Sequence, residues 1–401
     1  MRTYPIETFG VFRWLAVAVI GAVLAGCGGG GGATGASEVA LSPAAALGEK
    51  IFFDASLSAS GQMSCATCHA EATAHATNDP DVVVPAGGEA LTTPGFRNGP
   101  SLRYLNLTPA FFFDKEGTPT GGFNRDGRAN SLMEQAERPF LAAHEMANDA
   151  AAAVVEKAKR AAWADEFRRV FGAGILDAPD AAFDRMRFAL SRYQQEDNDF
   201  HPFDSKYDLF IAGKVALTGR ELQGLALFND PAKGNCAACH PSGRASDGSP
   251  PLFTDFTYDN IGVPRNPAIP ANADATYFDL GLCGPFRTDL ANRADLCGAF
   301  KVPTLRNVAI TAPYFHNGRF RTLREVVGFY VRRDTNPEEW YPRVADGSVH
   351  KFDDLPPSYI KNVNTTEVPY NRRPGDVPAL SPDEIDLVVE FLQTLTDGYR
   401  P

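Results

Sequence analysis

Cys65-Ala66-Thr67-Cys68-His69 and Cys236-Ala237-Ala238-Cys239-His240 decide how this chain is read. Each is Cys-x-x-Cys-His, the attachment signature for c-type haem. Two thiols three positions apart on one helical turn can add to both vinyl groups of a single haem. The histidine that follows lies beneath the ring and ligates its iron. The alternative is a four-cysteine zinc site built from the two Cys-x-x-Cys pairs, and a histidine directly after both pairs speaks against it. The sequence therefore predicts two covalent haem c groups, and function rests on what the two irons do.

The residues leading into the motifs repeat. Gly48, Ile51, Phe52 and Asp54 precede the first; Gly224, Leu227, Phe228 and Asp230 precede the second, each offset by 176 residues. The motifs themselves are offset by 171, so the connecting loop is five residues shorter in the second copy. A helix leading through a short loop to Cys-x-x-Cys-His is the opening of a small cytochrome c domain. The expected fold is mainly α, two tandem cytochrome c-like domains spanning 41–204 and 205–401. Helix starts are marked by Ser42-Pro43 and by capping-box pairs: Ser131 with Glu134, Thr218 with Glu221, Thr322 with Glu325, Ser381 with Glu384. Helical stretches are expected over 149–171 and 181–195. The Pro- and Gly-rich segments 80–127 and 241–272 read as loops around haem edges, and no sustained strand alternation is present.

The N-terminus reads as a processing segment. Arg2 and Arg13 precede an apolar run, Trp14 to Leu24, too short to span a membrane but suited to an export signal. Leu24-Ala25-Gly26-Cys27 resembles a bacterial lipoprotein cleavage box, so residues 1–26 are expected to be removed and Cys27 lipidated. An ordinary signal peptide is the alternative. Residues 27–40, opening with Gly28 to Gly32, read as a flexible tether. Location on the periplasmic side of a bacterial membrane, held only by the lipid anchor, fits covalent haem, which is assembled outside the cytoplasm. Of seven cysteines, four hold haem and one the lipid. That leaves Cys283 and Cys297, expected to pair in an oxidising compartment, with two free thiols as the alternative. Loss of residues 1–26 leaves 36 basic against 48 acidic residues, a formal charge of −12. Such a chain is poorly suited to nucleic acid.

Function depends on the far-side ligand of each iron. The five methionines are Met1, Met63, Met133, Met146 and Met186. None follows Cys239, so the second haem has no methionine candidate from its own domain. The nearby donors are His316, His350 and several tyrosines. Among these, Tyr330 shares an apolar helix face with Leu323, Val326 and Val327. On periodicity alone it reads as a core tyrosine with a hydrogen-bonded hydroxyl.

Ala312-Pro313-Tyr314-Phe315-His316-Asn317-Gly318, with Thr322-Leu323 and Glu325-Val326-Val327 after it, closely resembles the bacterial dihaem cytochrome c peroxidase and MauG family. So does Asp126-Gly127-Arg128, continuing through Ser131-Leu132 and Glu134-Gln135 to Glu145-Met146. With the haem motifs, the likeness spans residues 45–397 almost continuously. The resemblance implies several roles. The residue fourteen after the Phe-His histidine, here Tyr330, would be the distal ligand of the second haem; it is methionine in the cytochrome c peroxidases and tyrosine in MauG-like enzymes. Gln135 and Glu145 would be the distal-pocket pair of the first haem, with Pro139 as pocket wall. A carboxylate there can move peroxide's proton to the leaving oxygen. Asn98, Thr311 and Pro313 would hold calcium between the haems, the last two through backbone carbonyls. His75 is a candidate sixth ligand of the first iron, which is otherwise open. One departure stands out: the tryptophan that usually precedes Asp-Gly-Arg, between the haems, is here Arg125.

The resemblance thus implies a hydrogen peroxide-dependent dihaem oxidase or peroxidase, more MauG-like than peroxidase-like. It would oxidise a protein partner at a distance, as MauG-like enzymes oxidise tryptophan side chains. The first rival is a cytochrome c peroxidase drawing electrons from a small redox protein. The second is a dihaem electron carrier without catalysis, which leaves Gln135 and Glu145 without a purpose.

Overall fold

Ser42 opens the first helix, and the computed structural model describes residues 40–401. The Ser42 hydroxyl accepts from the backbone N–H of Ala45 at 3.2 Å, capping the helix Pro43–Phe53. Its own N–H and hydroxyl donate to the carboxylate of Glu196 at 2.8 and 2.9 Å. Glu196 ends the helix Pro179–Glu196, so the first and last helices of the first copy are tied at one corner. They cross at Gly48, where a Cβ would lie 2.0 Å from the carbonyl oxygen of Ala189.

The second copy repeats this crossing. Gly224, in the helix Gly219–Asn229, lies against the helix Pro382–Gln393, and a Cβ there would sit 2.0 Å from the carbonyl oxygen of Leu387. The sequence repeat is therefore a repeat of helix crossing, with glycine at both contact points because only glycine lets the backbones approach so closely. Each crossing organises its own apolar cluster. Leu47, Ile51, Phe52, Phe140, Phe167 and Leu190 belong to one; Phe228, Phe253, Val327, Phe329, Val388 and Phe391 belong to the other. Both lie within one compact unit, Leu41–Pro401.

The expectation of a mainly α chain needs refining, because the structure is only 37% helical. The strands among the described residues are two-residue antiparallel pairs, such as Tyr258–Asp259 with Phe300–Lys301. Long loops fill the rest, including most of 80–127 and 241–272. The helix expected over 149–171 is two, Ala151–Ala158 and Ala164–Phe171. The break is tertiary in origin: the buried Trp163 donates its indole N–H to Asp54 Oδ2 at 2.9 Å, fixing the chain between the two helices. The remaining caps are local and follow the sequence. Thr218/Glu221, Thr322/Glu325 and Ser381/Glu384 form reciprocal capping boxes, and Ser131 accepts from the N–H of Glu134.

Cys283 and Cys297 form a disulfide across 14 residues of sequence. The expected signal segment 1–26, the expected lipidation site Cys27 and nearly all of the expected tether 27–40 lie outside the described residues. Among the described residues no helix is long and apolar enough to cross a membrane.

Candidate active site

Both Cys-x-x-Cys-His motifs form a single helical turn with its thiols unpaired. In the first, Ser64 and Thr67 cap the turn Cys65–Cys68 reciprocally, and His69 follows directly. His69 Nδ1 lies 2.8 Å from the carbonyl oxygen of His75. A carbonyl only accepts, so Nδ1 carries the proton and Nε2 presents its lone pair. Burial pulls the His69 pKa down to about 4, which keeps the ring neutral. The second motif matches: Cys236–Ala238 forms a 3-10 turn, and His240 Nδ1 lies 2.7 Å from the carbonyl oxygen of Phe253. Burial lowers the His240 pKa as well. A hydrogen bond that fixes the tautomer and leaves the other nitrogen free is the usual support of a metal-ligating histidine.

Each motif faces a large cavity, of about 1390 Å³ for the first and about 1550 Å³ for the second, mouths included. A cavity of this size, with two thiols and one oriented imidazole on its wall, fits a covalently held haem.

The first cavity gathers Gln135, Pro139 and Glu145 with Cys65, Cys68 and His69. Gln135 ends the short helix Leu132–Gln135, and Pro139 lies in Glu137–Leu141. Glu145 sits in a turn whose carbonyl accepts from the N–H of Gly88 at 2.9 Å. Burial holds the Glu145 carboxyl above the usual glutamate range, against the opposing pull of Arg128 and Arg138. His144, which sequence reasoning passed over, lines the same cavity, its Nε2 3.6 Å from Glu145 Oε1. Its adjacency to Glu145 was the only available signal.

His75, the candidate sixth ligand of the first iron, lies apart from the cavity of the first motif. Its ring stacks on Phe200 with centroids 4.4 Å apart, and its contribution to His69 is the backbone carbonyl. Its φ of 54° is what turns that carbonyl back toward the motif.

Tyr330, on the helix Leu323–Arg332, lines the second cavity with Cys236, Cys239 and His240. Burial raises its phenol pKa. Tyr370 stands beside it with ring centroids 6.2 Å apart. His316 lines this cavity too, stacked on Phe300 at 3.7 Å; His350 does not.

Arg125 lines both cavities. Beside it an ion-pair chain joins the two halves. Arg97 holds Asp279 through two bonds, at 2.5 and 2.7 Å, and Asp126 through a third at 2.7 Å. Nothing in the sequence singled out Arg97 or Asp279, which are 182 residues apart. Asn98, Thr311 and Pro313 line a further cavity, as do Arg125 and Lys301. The Asn98 amide donates to the Pro313 carbonyl and its Oδ1 accepts from Thr77 at 2.6 Å. These are neutral oxygen donors of the kind calcium takes, engaged here with one another and with Thr77. Among the described residues no three His, Cys, Asp or Glu side chains cluster as a metal site.

Two haem-motif cavities in one chain, one with an acid and an amide on its wall, define a dihaem oxidoreductase of the peroxidase class. The chain belongs to the dihaem cytochrome c peroxidase family, on its MauG-like side. The family model described as "Di-haem cytochrome c peroxidase" matches residues 42–216. The methylamine utilization protein MauG of Paracoccus denitrificans is 36% identical over 369 residues, covering 89% of each chain. Cytochrome c551 peroxidase of Nitrosomonas europaea is 32% identical, over 73% of this chain and 74% of its own. Among solved structures, the diheme peroxidase BthA of Burkholderia thailandensis superposes with a TM-score of 0.81 at 40% identity, covering 88% of this chain and 86% of its own. The protein is thus a dihaem peroxidase, an oxidoreductase with two haems.

Proposed function

We propose that the chain is a MauG-like peroxidase that spends the oxidising power of hydrogen peroxide on a protein partner, with a tryptophan side chain as the favoured target. The observation that carries this reading is the asymmetry of the cavities: Gln135 and Glu145 stand on the wall of the first, Tyr330 on that of the second. On this reading both haems would be held covalently, by Cys65 and Cys68 and by Cys236 and Cys239, with His69 and His240 as donors to the irons and Tyr330 as a further donor to the second.

When bound, the haems supply the site where peroxide is reduced and the store for its two oxidising equivalents. The residues of the chain do the rest. Glu145 takes a proton from peroxide and returns it to the departing oxygen. The Gln135 amide orients the peroxide by hydrogen bonding, and Pro139 limits the space beside it. Overall, peroxide takes up two electrons and two protons to give two waters, and the partner supplies the electrons. A phenolate from Tyr330 is a hard anionic donor that favours oxidised iron, which suits an enzyme that holds oxidising equivalents. Calcium would be held by Asn98 Oδ1 with the carbonyls of Thr311 and Pro313. Export through residues 1–26 and lipidation at Cys27 would place the enzyme on the periplasmic side, beside a membrane-associated partner.

The test is stopped-flow absorbance after one equivalent of peroxide. Glu145→Gln keeps the shape and removes the proton acceptor, so the reaction should slow by roughly 10²–10⁴-fold, the usual worth of general acid–base catalysis. A wild-type rate in this variant would remove the assigned role.

A further inference from the structure

Buried arginines in this protein have carboxylate partners. Arg97 has Asp279 and Asp126, Arg306 has Asp208, and Arg333 has Asp334. Arg125 and Lys301, both half-buried, have no such partner. Arg125 donates Nε to the carbonyl oxygen of Asn98 at 3.0 Å, and its two Nη groups have no hydrogen-bond partner among the described residues. Lys301 donates Nζ to the carbonyl oxygen of Gly122 and pairs with no acid. The two residues are neighbours, since the backbone N–H of Lys301 donates to the carbonyl of Arg125 at 2.9 Å. Burial and Arg97 pull Arg125 down to about 10. Burial pulls Lys301 down to about 8, with Asp126 opposing and Arg125 adding to the fall. Two adjacent, half-buried cations thus stand without a direct carboxylate partner, with Asp279 and Asp126 acting on them only from a distance, an arrangement that an anion joining them would relieve.

Their position names the anion. Arg125 lines both haem cavities, whereas Lys301 lines that of the second motif and not that of the first. Each haem carries two propionate carboxylates on its rim. We propose that Arg125 is a shared propionate clamp, its two free Nη groups each donating to a carboxylate of a different haem, and that Lys301 pairs with a propionate of the second haem alone. Guanidinium is suited to this work because its donors are fixed in a planar fork and it keeps its charge when buried. Where the family usually has an indole between the haems, this chain has a charge that both haems feel.

The inference rests on the two-haem reading, and its test separates the two. Haem content per chain is measured first; fewer than two would overturn the reading itself. Spectroelectrochemical titration then gives the midpoint potential of each haem. Loss of a nearby positive charge stabilises ferric iron. Arg125→Gln should therefore lower both midpoints, and Arg125→Lys should retain most of the wild-type value. Lys301→Met should lower the midpoint of the His240 haem and leave that of the His69 haem in place. Unchanged midpoints in Arg125→Gln, or a shift confined to one haem, would overturn the clamp. Equal shifts of both haems in Lys301→Met would overturn the assignment of Lys301. If Arg125→Gln fails to mature with two haems, Arg125→Met is measured in its place with the same expected fall in both midpoints, and Lys301→Met tests the second assignment independently.

Discussion

Gly48 lies so close to Ala189 that a Cβ placed on it would meet the Ala189 carbonyl oxygen at 2.0 Å. Backbone cannot yield as a flexible side chain does, so Gly48→Ala must push the helices Pro43–Phe53 and Pro179–Glu196 apart. Overpacking of this kind costs typically 1–3 kcal/mol, occasionally more. Gly224→Ala should behave alike against Leu387. Gly219→Ala is the control, because nothing lies within 4 Å of its would-be Cβ. Denaturant midpoints of the haem-loaded protein should fall in the first two variants and hold or rise in the third.

Covalent attachment has its own test. Acid and organic solvent strip haem held by ligation alone, whereas thioether-bound haem stays with the chain. Two haems should therefore remain per chain after extraction. Cys236→Ala with Cys239→Ala should leave one, with the His69 site still filled, since the thiols of the two motifs line separate cavities. Release of both haems from the wild type would refute thioether bonding.

Much of the site was legible because it is written in local patterns. The Cys-x-x-Cys-His turns, the capping boxes and the Gly48/Gly224 repeat each span a few residues whose physical requirement is fixed: two thiols on one turn, a side-chain oxygen at a helix start, no Cβ at a crossing. The likeness to a family carried Gln135, Glu145 and Tyr330, none of which local pattern could have raised above a solvated helix residue, a loop acid and a core tyrosine. What could not be read depends on contacts between distant segments. The 149–171 helix breaks because Trp163 reaches Asp54, 109 residues away. Arg97, Asp126 and Asp279 meet only once the loops are folded over one another. Lys301 looks like any surface lysine until the chain places it beside Arg125.

Tyr330 and its neighbours yield a spectroscopic prediction. If the phenol ligates the second iron, the ferric protein should show one high-spin and one low-spin haem by EPR. Tyr330→Phe removes the donor oxygen and little volume, so only the low-spin signal should change. His316 shares the same cavity, and His316→Phe should leave that signal in place. The opposite result, a low-spin signal lost with His316 and kept without Tyr330, would move the ligand to the imidazole.

The Glu145 carboxyl links the site to pH. Burial raises its pKa, while Arg128 and Arg138 draw it down. To take a proton from peroxide the group must be a carboxylate, so the rate of the peroxide reaction should climb as pH rises through its pKa. That acidic limb should lie above the ordinary glutamate range, because burial is the larger influence. Arg138 stands at the cavity wall and is bound to no carboxylate among the described residues, so it can be changed with little structural cost. Arg138→Met removes a cation that favours the ionised form, and the limb should move to higher pH with the plateau rate kept. Glu145→Gln should lose the limb altogether and run at a low, nearly pH-independent rate. These profiles are read from single-turnover absorbance traces across the acidic range, at constant ionic strength because the Arg138 effect is partly screened by salt. A limb that persists unchanged in Glu145→Gln would assign it to another group, and His144, 3.6 Å from the carboxylate, would be the next to replace.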